Sequence, residues 1–298
     1  MIYHVPALLD ESINGLNIRS NGIYVDVTFG GGGHSGEILK RLTTGKLIAF
    51  DQDEDASENI FNDDRFVFLN QNFRFLKNNL RFIGIDSVDG IIADLGVSFH
   101  QFDEPGRGFS FRHDTMLDMR MNRSSSLTAA DLLATMTETE MADMFHDYGE
   151  LTGSRKIARA ITAARISRPV RSANDLSSIV EKLAPYRQEH KFLAKVFQAL
   201  RITVNNEIEY LKEMLEQALE LLNRGGRLVV ITYHSLEDRI VKNFMKTGSF
   251  SEEETKDFYG HTITPFKLVT RKALIPGEEE ITRNNRARSA KLRIAEKV

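Results

Sequence analysis

From Gly22 onward the chain alternates between short apolar runs and longer amphipathic stretches. The runs at 23–28, 46–51, 65–69 and 87–93 are rich in Ile, Val, Leu and Phe, which predicts strands. The stretches 35–42, 54–60 and 73–81 between them predict helices. Strands alternating with helices imply a parallel sheet covered on both faces. After 93 the alternation stops. Between Thr128 and Arg201 only helical patterns occur: 129–136, a start capped by Thr137 and Glu140, then 154–167, 175–183 and 191–203. The α/β pattern then resumes. Residues 207–222 place Ile208, Leu211, Leu215, Ala218 and Leu222 on one face, and Gly225-Gly226 reads as the C-cap of that helix. Arg227–Thr232 predicts a buried strand, 235–245 a helix, and 262–271 with 289–296 a closing antiparallel pair. Residues 3–18, with Leu8, Leu9, Ile13 and Leu16 apolar, read as a cap on the core, with His4 packed among them. The expected organisation is an α/β domain built from 1–112 and 204–298, with an all-α domain, 113–203, inserted into it.

Composition narrows the class. The 298 residues are 41% hydrophobic and 27% charged, enough apolar material for a sizeable core. Without cysteine, disulfides and thiolate metal sites are excluded, and no metal is expected. No apolar run is long enough to span a bilayer, and the first residues lack the pattern of a signal peptide. A cytoplasmic location with no membrane partner is therefore expected. The net charge of −3 argues against a general nucleic-acid coat, but the charge is uneven. Ser154–Arg171 and Arg283–Arg293 are basic and contain no acid. Each suits an RNA backbone, and each also suits a solvated face.

The chemistry concentrates after the first strand, in Asp26-Val-Thr-Phe-Gly30-Gly31-Gly32-Gly33-His34-Ser35-Gly36. A glycine cluster between a strand and a helix lets backbone N–H groups approach a ligand closely. Asp51 ends the next strand, where a carboxylate can accept hydrogen bonds from a ribose. The strand ends at Asp26–Gly33, Asp51, Asn70–Phe73 and Asp94–Gly96 converge on one cleft. Together they predict a site for an adenosine-containing cofactor. The spacing Gly31-x-Gly33-x-x-Gly36 fits a nicotinamide-dependent oxidoreductase. The helical interruption and the antiparallel closing pair fit an S-adenosylmethionine-dependent methyltransferase better. A non-catalytic RNA-binding assembly factor is a third reading.

Longer motifs run through the whole chain: Tyr3–Glu11, Asp26–Ser35, Asp94–Ser98, Arg107–Phe111, Leu117–Met121, Phe197–Ile202, Val204-Asn205, His234–Arg239 and Arg286–Arg293. In this order they resemble the bacterial RsmH (MraW) family of 16S ribosomal RNA cytosine-N4 methyltransferases. The resemblance implies a class I S-adenosylmethionine-dependent fold, Rossmann-like and seven-stranded, with an inserted all-α domain for RNA recognition. It implies S-adenosylmethionine as cofactor, held by Gly32, Gly33, His34, Asp51, Phe73, Asp94 and Gln101. It also implies a substrate within the decoding region of the small ribosomal subunit, and a homodimer is a further possibility. This chain departs from the family pattern at Phe99 and Phe102, at His190-Lys-Phe-Leu-Ala194, and at Thr232-Tyr233, where Ser-Phe is usual.

The cytosine amine is a poor nucleophile because its lone pair is delocalised into the ring; an acceptor for its N–H would favour pyramidalisation and help disperse the developing positive charge. The usual amino-methylase signature, with paired prolines and an aromatic, is absent. Asp94-Leu95-Gly96 occupies its place, so Asp94 is the leading catalytic candidate. His234 and Asp238 are further candidates, or else a cap on the helix that follows them. Arg107–Phe111 reads either as a place to stack an extruded base or as a packed hinge.

Overall fold

A computed structural model describes residues 6–250 and 264–298. His4 and the first part of the expected strand at 262–271 lie outside the described residues. The chain divides into two compact units, one reaching Gly96 and resuming at Ile208, the other spanning Val97–Glu207.

The first unit is one seven-stranded sheet. Its strands are β1 (Ile23–Asp26), β2 (Lys46–Phe50), β3 (Phe66–Leu69), β4 (Val88–Asp94), β5 (Leu222–Thr232), β6 (Phe266–Leu268) and β7 (Lys291–Lys297). They lie in the order β3-β2-β1-β4-β5-β7-β6. The first five are parallel, with Val25 facing Ile48 on one side and Ile91 on the other; β7 runs antiparallel to β5 and β6. Ile48, Ile91, Ile92, Val229 and Val230 have no accessible surface, as expected for strands covered on both faces. Leu76, Leu80, Leu211, Leu215 and Phe244 cover one face. Ile13, Leu16, Ile38 and Leu39 cover the other. Among the described residues no helix is long and apolar enough to cross a membrane.

Two local expectations change. Gly225-Gly226 is not a helix C-cap: helix Glu207–Leu221 runs directly into β5, and the glycines fall where the β4–β5 register jumps from Val88↔Leu222 to Gly90↔Arg227. Gly225 has φ +76°, and a Cβ on Gly226 would lie 2.8 Å from the Asn223 carbonyl, so this irregular turn requires glycine. The stretch at 54–60 is a 3-10 helix, Glu54–Asn59, and the one at 73–81 begins as a 3-10 turn before α-helix Leu76–Phe82.

The second unit is helical and has its own core. Leu133, Phe145, Ile157, Ile161, Leu176, Val196 and Leu200 pack together with Phe109, Leu117, Met119 and Met121. The last four explain why the unit starts at Val97 and not at 113: the glycine- and methionine-rich stretch belongs to this core. Arg107 is buried and donates to the carbonyls of Arg120 and Met121. Arg107–Phe111 is thus a packed segment and does not offer a surface for a base. Asn205 fastens the same segment, accepting from Met121 N–H at 2.7 Å and donating to Met119 O at 2.8 Å. Helices Ala129–Thr135, Glu138–Asp147 and Ala173–Val180 each open with a reciprocal capping box, Thr128/Asp131, Thr137/Glu140 and Ser172/Asp175.

Candidate active site

The carboxyl edge of the parallel strands carries the site. Asp26, at the end of β1, is 1% exposed. One of its oxygens accepts Thr28 N–H at 3.0 Å and the other accepts Ser35 Oγ–H at 2.7 Å. This carboxylate ties the start of the glycine loop to the helix after it. Burial, opposed by those hydrogen bonds, raises its pKa to about 6. Gly30 and Gly32 have φ of +49° and +76°, a backbone that side chains resist. A Cβ on Gly30 would meet nothing within 4 Å, so the loop backbone is open there. A Cβ on Gly33 would lie 2.2 Å from Pro6 Cγ, so that glycine serves close packing.

His34 follows in the first turn of helix Gly33–Arg41 and is 5% exposed. Burial drives its pKa down to about 4, against a raising hydrogen bond with the Ala7 backbone, so the ring is neutral near pH 7. Its Nε2 is buried with no hydrogen-bond partner among the described residues. Such an atom costs stability unless a ligand or water meets it.

Asp51 follows β2. Its oxygens accept Gly30 N–H at 2.8 Å and Asp53 N–H at 2.9 Å, which leaves lone pairs for hydroxyl groups. Burial raises its pKa to about 6. Asn72 Nδ2 donates to Gln52 Oε1 at 2.6 Å and so joins the loop bearing Phe73 to the one bearing Asp51. Phe73 itself is half-buried against the core.

Asp94 ends β4, with its side chain 22% exposed. Its N–H donates to Thr28 Oγ1 at 2.6 Å, and its Oδ1 accepts from the Tyr233 hydroxyl at 2.8 Å. Burial pushes its pKa up to about 7; the Tyr233 bond lowers it, while Asp26 and Glu237 raise it. His34 Nδ1 is 3.9 Å from Oδ2, beyond hydrogen-bond reach.

The remaining expected residues have partners of their own. Gln101 belongs to the helical unit, where it is buried and accepts Ser98 N–H at 3.0 Å. His234 is the N-cap of helix Ser235–Thr247, its Nδ1 facing Glu237 N–H at 3.4 Å. Asp238 is paired with Arg293 at 2.7 Å and Lys291 at 3.2 Å. Burial alone would raise its pKa, but those bonds hold it below the usual range. The cap and the ion pair give both residues a place in the fold, and two cations of the basic tail pair within it. The contribution of Tyr233 was hidden in the sequence; its one trace was a tyrosine where the family pattern has phenylalanine.

Three carboxyls, Asp26, Asp51 and Asp94, gather at this edge with no cation, among the described residues, as a hydrogen-bond partner. A cationic sulfonium ligand with a ribose suits that donor set, the open backbone at Gly30 and the unmet His34 nitrogen. The strand order with its antiparallel β7, the glycine loop and the acid after β2 define an S-adenosylmethionine-dependent methyltransferase of class I. The oxidoreductase reading fails because the sheet builds no second nucleotide-binding half after β4.

The model of the MraW methylase family matches residues 1–298, and the chain belongs to that family. It is 58% identical over 297 residues to the ribosomal RNA small subunit methyltransferase H of Phocaeicola vulgatus, covering 99% of this chain and 98% of that one. The protein of the same name from Bacteroides fragilis is 58% identical over 296 residues, covering 99% and 97%. That of Flavobacterium johnsoniae is 54% identical over 299 residues, covering 100% and 99%.

Proposed function

We propose that this protein methylates the N4 amine of one cytosine in 16S ribosomal RNA of the small subunit, in the cytoplasm, with S-adenosylmethionine as donor. The observation that carries the reading is Asp94: a residue at the end of β4 whose backbone is held by Thr28 and whose carboxylate is held by Tyr233, with no cation bonded to Oδ2 among the described residues. Gly32, Gly33 and His34 would hold the methionyl part, Asp51 the ribose and Phe73 the adenine face. Gln101 completes this set by resemblance. The bound donor supplies an electrophilic methyl carbon. Asp94 Oδ2 accepts the amine N–H, which frees the nitrogen lone pair from the ring and offsets the positive charge that develops on nitrogen. His234 contributes by fixing the start of the helix next to Tyr233.

The helical unit supports the RNA side of the reading. Helix Ser154–Ser167 buries Ile157, Ala158 and Ile161 and exposes Arg155, Lys156 and Arg159. An exposed cationic face of this kind neutralises phosphates. Small subunits from cells lacking the protein, incubated with it and labelled donor, are expected to gain one methylcytosine that mass mapping places in 16S RNA. Binding without methyl incorporation would favour the assembly-factor reading instead. Exchanging Arg155 and Lys156 for Glu is expected to weaken subunit binding about tenfold and flatten its salt dependence, with donor affinity unchanged.

A further inference from the structure

The structure assigns Tyr233 as a positioning residue: its hydroxyl fixes Oδ1 of Asp94 and leaves Oδ2, which has no hydrogen-bond partner among the described residues, to meet the target amine. The inference deepens the proposed reaction and rests on it. The bond, 2.8 Å, has ordinary O–H···O length, and it comes from a residue anchored by its own backbone, since Tyr233 N–H donates to Glu237 at 3.0 Å. Gly96, at φ +97°, takes a backbone conformation that favours glycine, and its Cβ position would lie in ordinary contact, 3.6 Å, with Tyr233 Cδ2.

The surroundings make this hydroxyl decisive for charge as well as for direction. The groups facing Asp94 are Asp26 from β1, Glu237 from helix Ser235–Thr247 and neutral His34 from helix Gly33–Arg41. Both acids oppose ionisation, and so does burial. Among the described residues, the Tyr233 hydroxyl is the group that favours the carboxylate. Burial and the neighbouring acids Asp94, Glu237 and Glu280 hold the phenol protonated, so it remains a donor across the working pH range. A phenylalanine here would leave the sheet edge intact in shape and remove this one hydrogen bond.

The test uses the full-length protein and Tyr233→Phe. In the absence of donor and RNA, the Asp94 carboxyl is titrated by carbon NMR, assigned with Asp94→Asn. Its midpoint is expected to rise by about one pH unit in Tyr233→Phe. With donor and small subunits, kcat at pH 7 is expected to fall several-fold; the share owed to protonation of the carboxyl recovers near pH 9, and a smaller, pH-independent share owed to lost orientation remains. Affinity for S-adenosylhomocysteine, read by calorimetry, is expected to stay within about twofold. An unmoved midpoint, an unchanged kcat at pH 7, or a loss of kcat as large at pH 9 as at pH 7 overturns the assignment. A midpoint moved by Tyr233→Phe, together with a wild-type protein that transfers no methyl group, overturns the proposed reaction and leaves the coupling of Tyr233 to Asp94 standing.

Discussion

The acids of the sheet edge and the acids of the helical unit have opposite fates. Asp26, Asp51 and Asp94 are raised to about 6, 6 and 7, because burial dominates and no cation among the described residues answers it. In the helical unit Asp131 and Glu140 are lowered by hydrogen bonds from Thr128 and Thr137. Asp118 and Asp175, where burial alone would raise the pKa, are lowered by Arg120 and by the backbone of Arg171 and Ser172. The same side chain is a structural clamp where helix starts and guanidinium groups satisfy it. It becomes available for chemistry where the fold buries it and leaves its charge unanswered. Perturbation in the upward direction, more than the count of acids, marks the site.

That contrast can be broken most severely at Asp94. Replacing it with Ala is expected to lower methyl transfer by about a hundredfold or more while the melting temperature holds. Turnover near the wild-type rate would remove Asp94 from the mechanism.

A smaller effect sharpens the contrast at Asp26. Its folded carboxyl titrates near 6 against an ordinary 3.8, so the fold favours the neutral form. The stability it contributes is full below its unfolded pKa and is lost as pH rises through about 6. Between pH 5 and pH 7.5 Asp26 alone is expected to cost the protein about 1.4 kcal/mol. Asp26→Asn should remove that share of the pH dependence, read by denaturant unfolding at the two pH values. An equal slope in variant and wild type would place the pH dependence elsewhere.

The smallest effect lies in the helical unit. Thr137→Ala removes one side of a capping box and is expected to cost about 1 kcal/mol of stability, seen as a modest fall in melting temperature. The methyl-transfer rate should not change. A loss of rate would mean that this helix start bears on the reaction.

The alternating period made the sheet legible from the sequence, and the glycine loop and Asp51 were legible because a strand-loop-helix punctuated by glycine has few other uses. The boundary of the helical unit was not, because Phe109, Met119 and Met121 sit in a stretch without periodicity and declare their burial only in three dimensions. Gly225-Gly226 misled because a glycine pair after an amphipathic helix is the usual sign of a C-cap, and only strand pairing shows a register jump. Tyr233 was hidden for a different reason: a hydrogen bond between the ends of two strands far apart in sequence has no local pattern.

The interruption of the sheet sets an order of assembly. β4 ends at Asp94, and the strand that pairs beside it starts only at Leu222. During synthesis the nascent sheet carries an unpaired edge until residues beyond Leu222 emerge, whereas every contact of the helical core is in hand by Glu207. Three helix starts that specify themselves through neighbours three residues apart let that core close early and locally. The long detour in the chain thus separates the two halves of the sheet with a body that can already be compact while the first half waits for its partner.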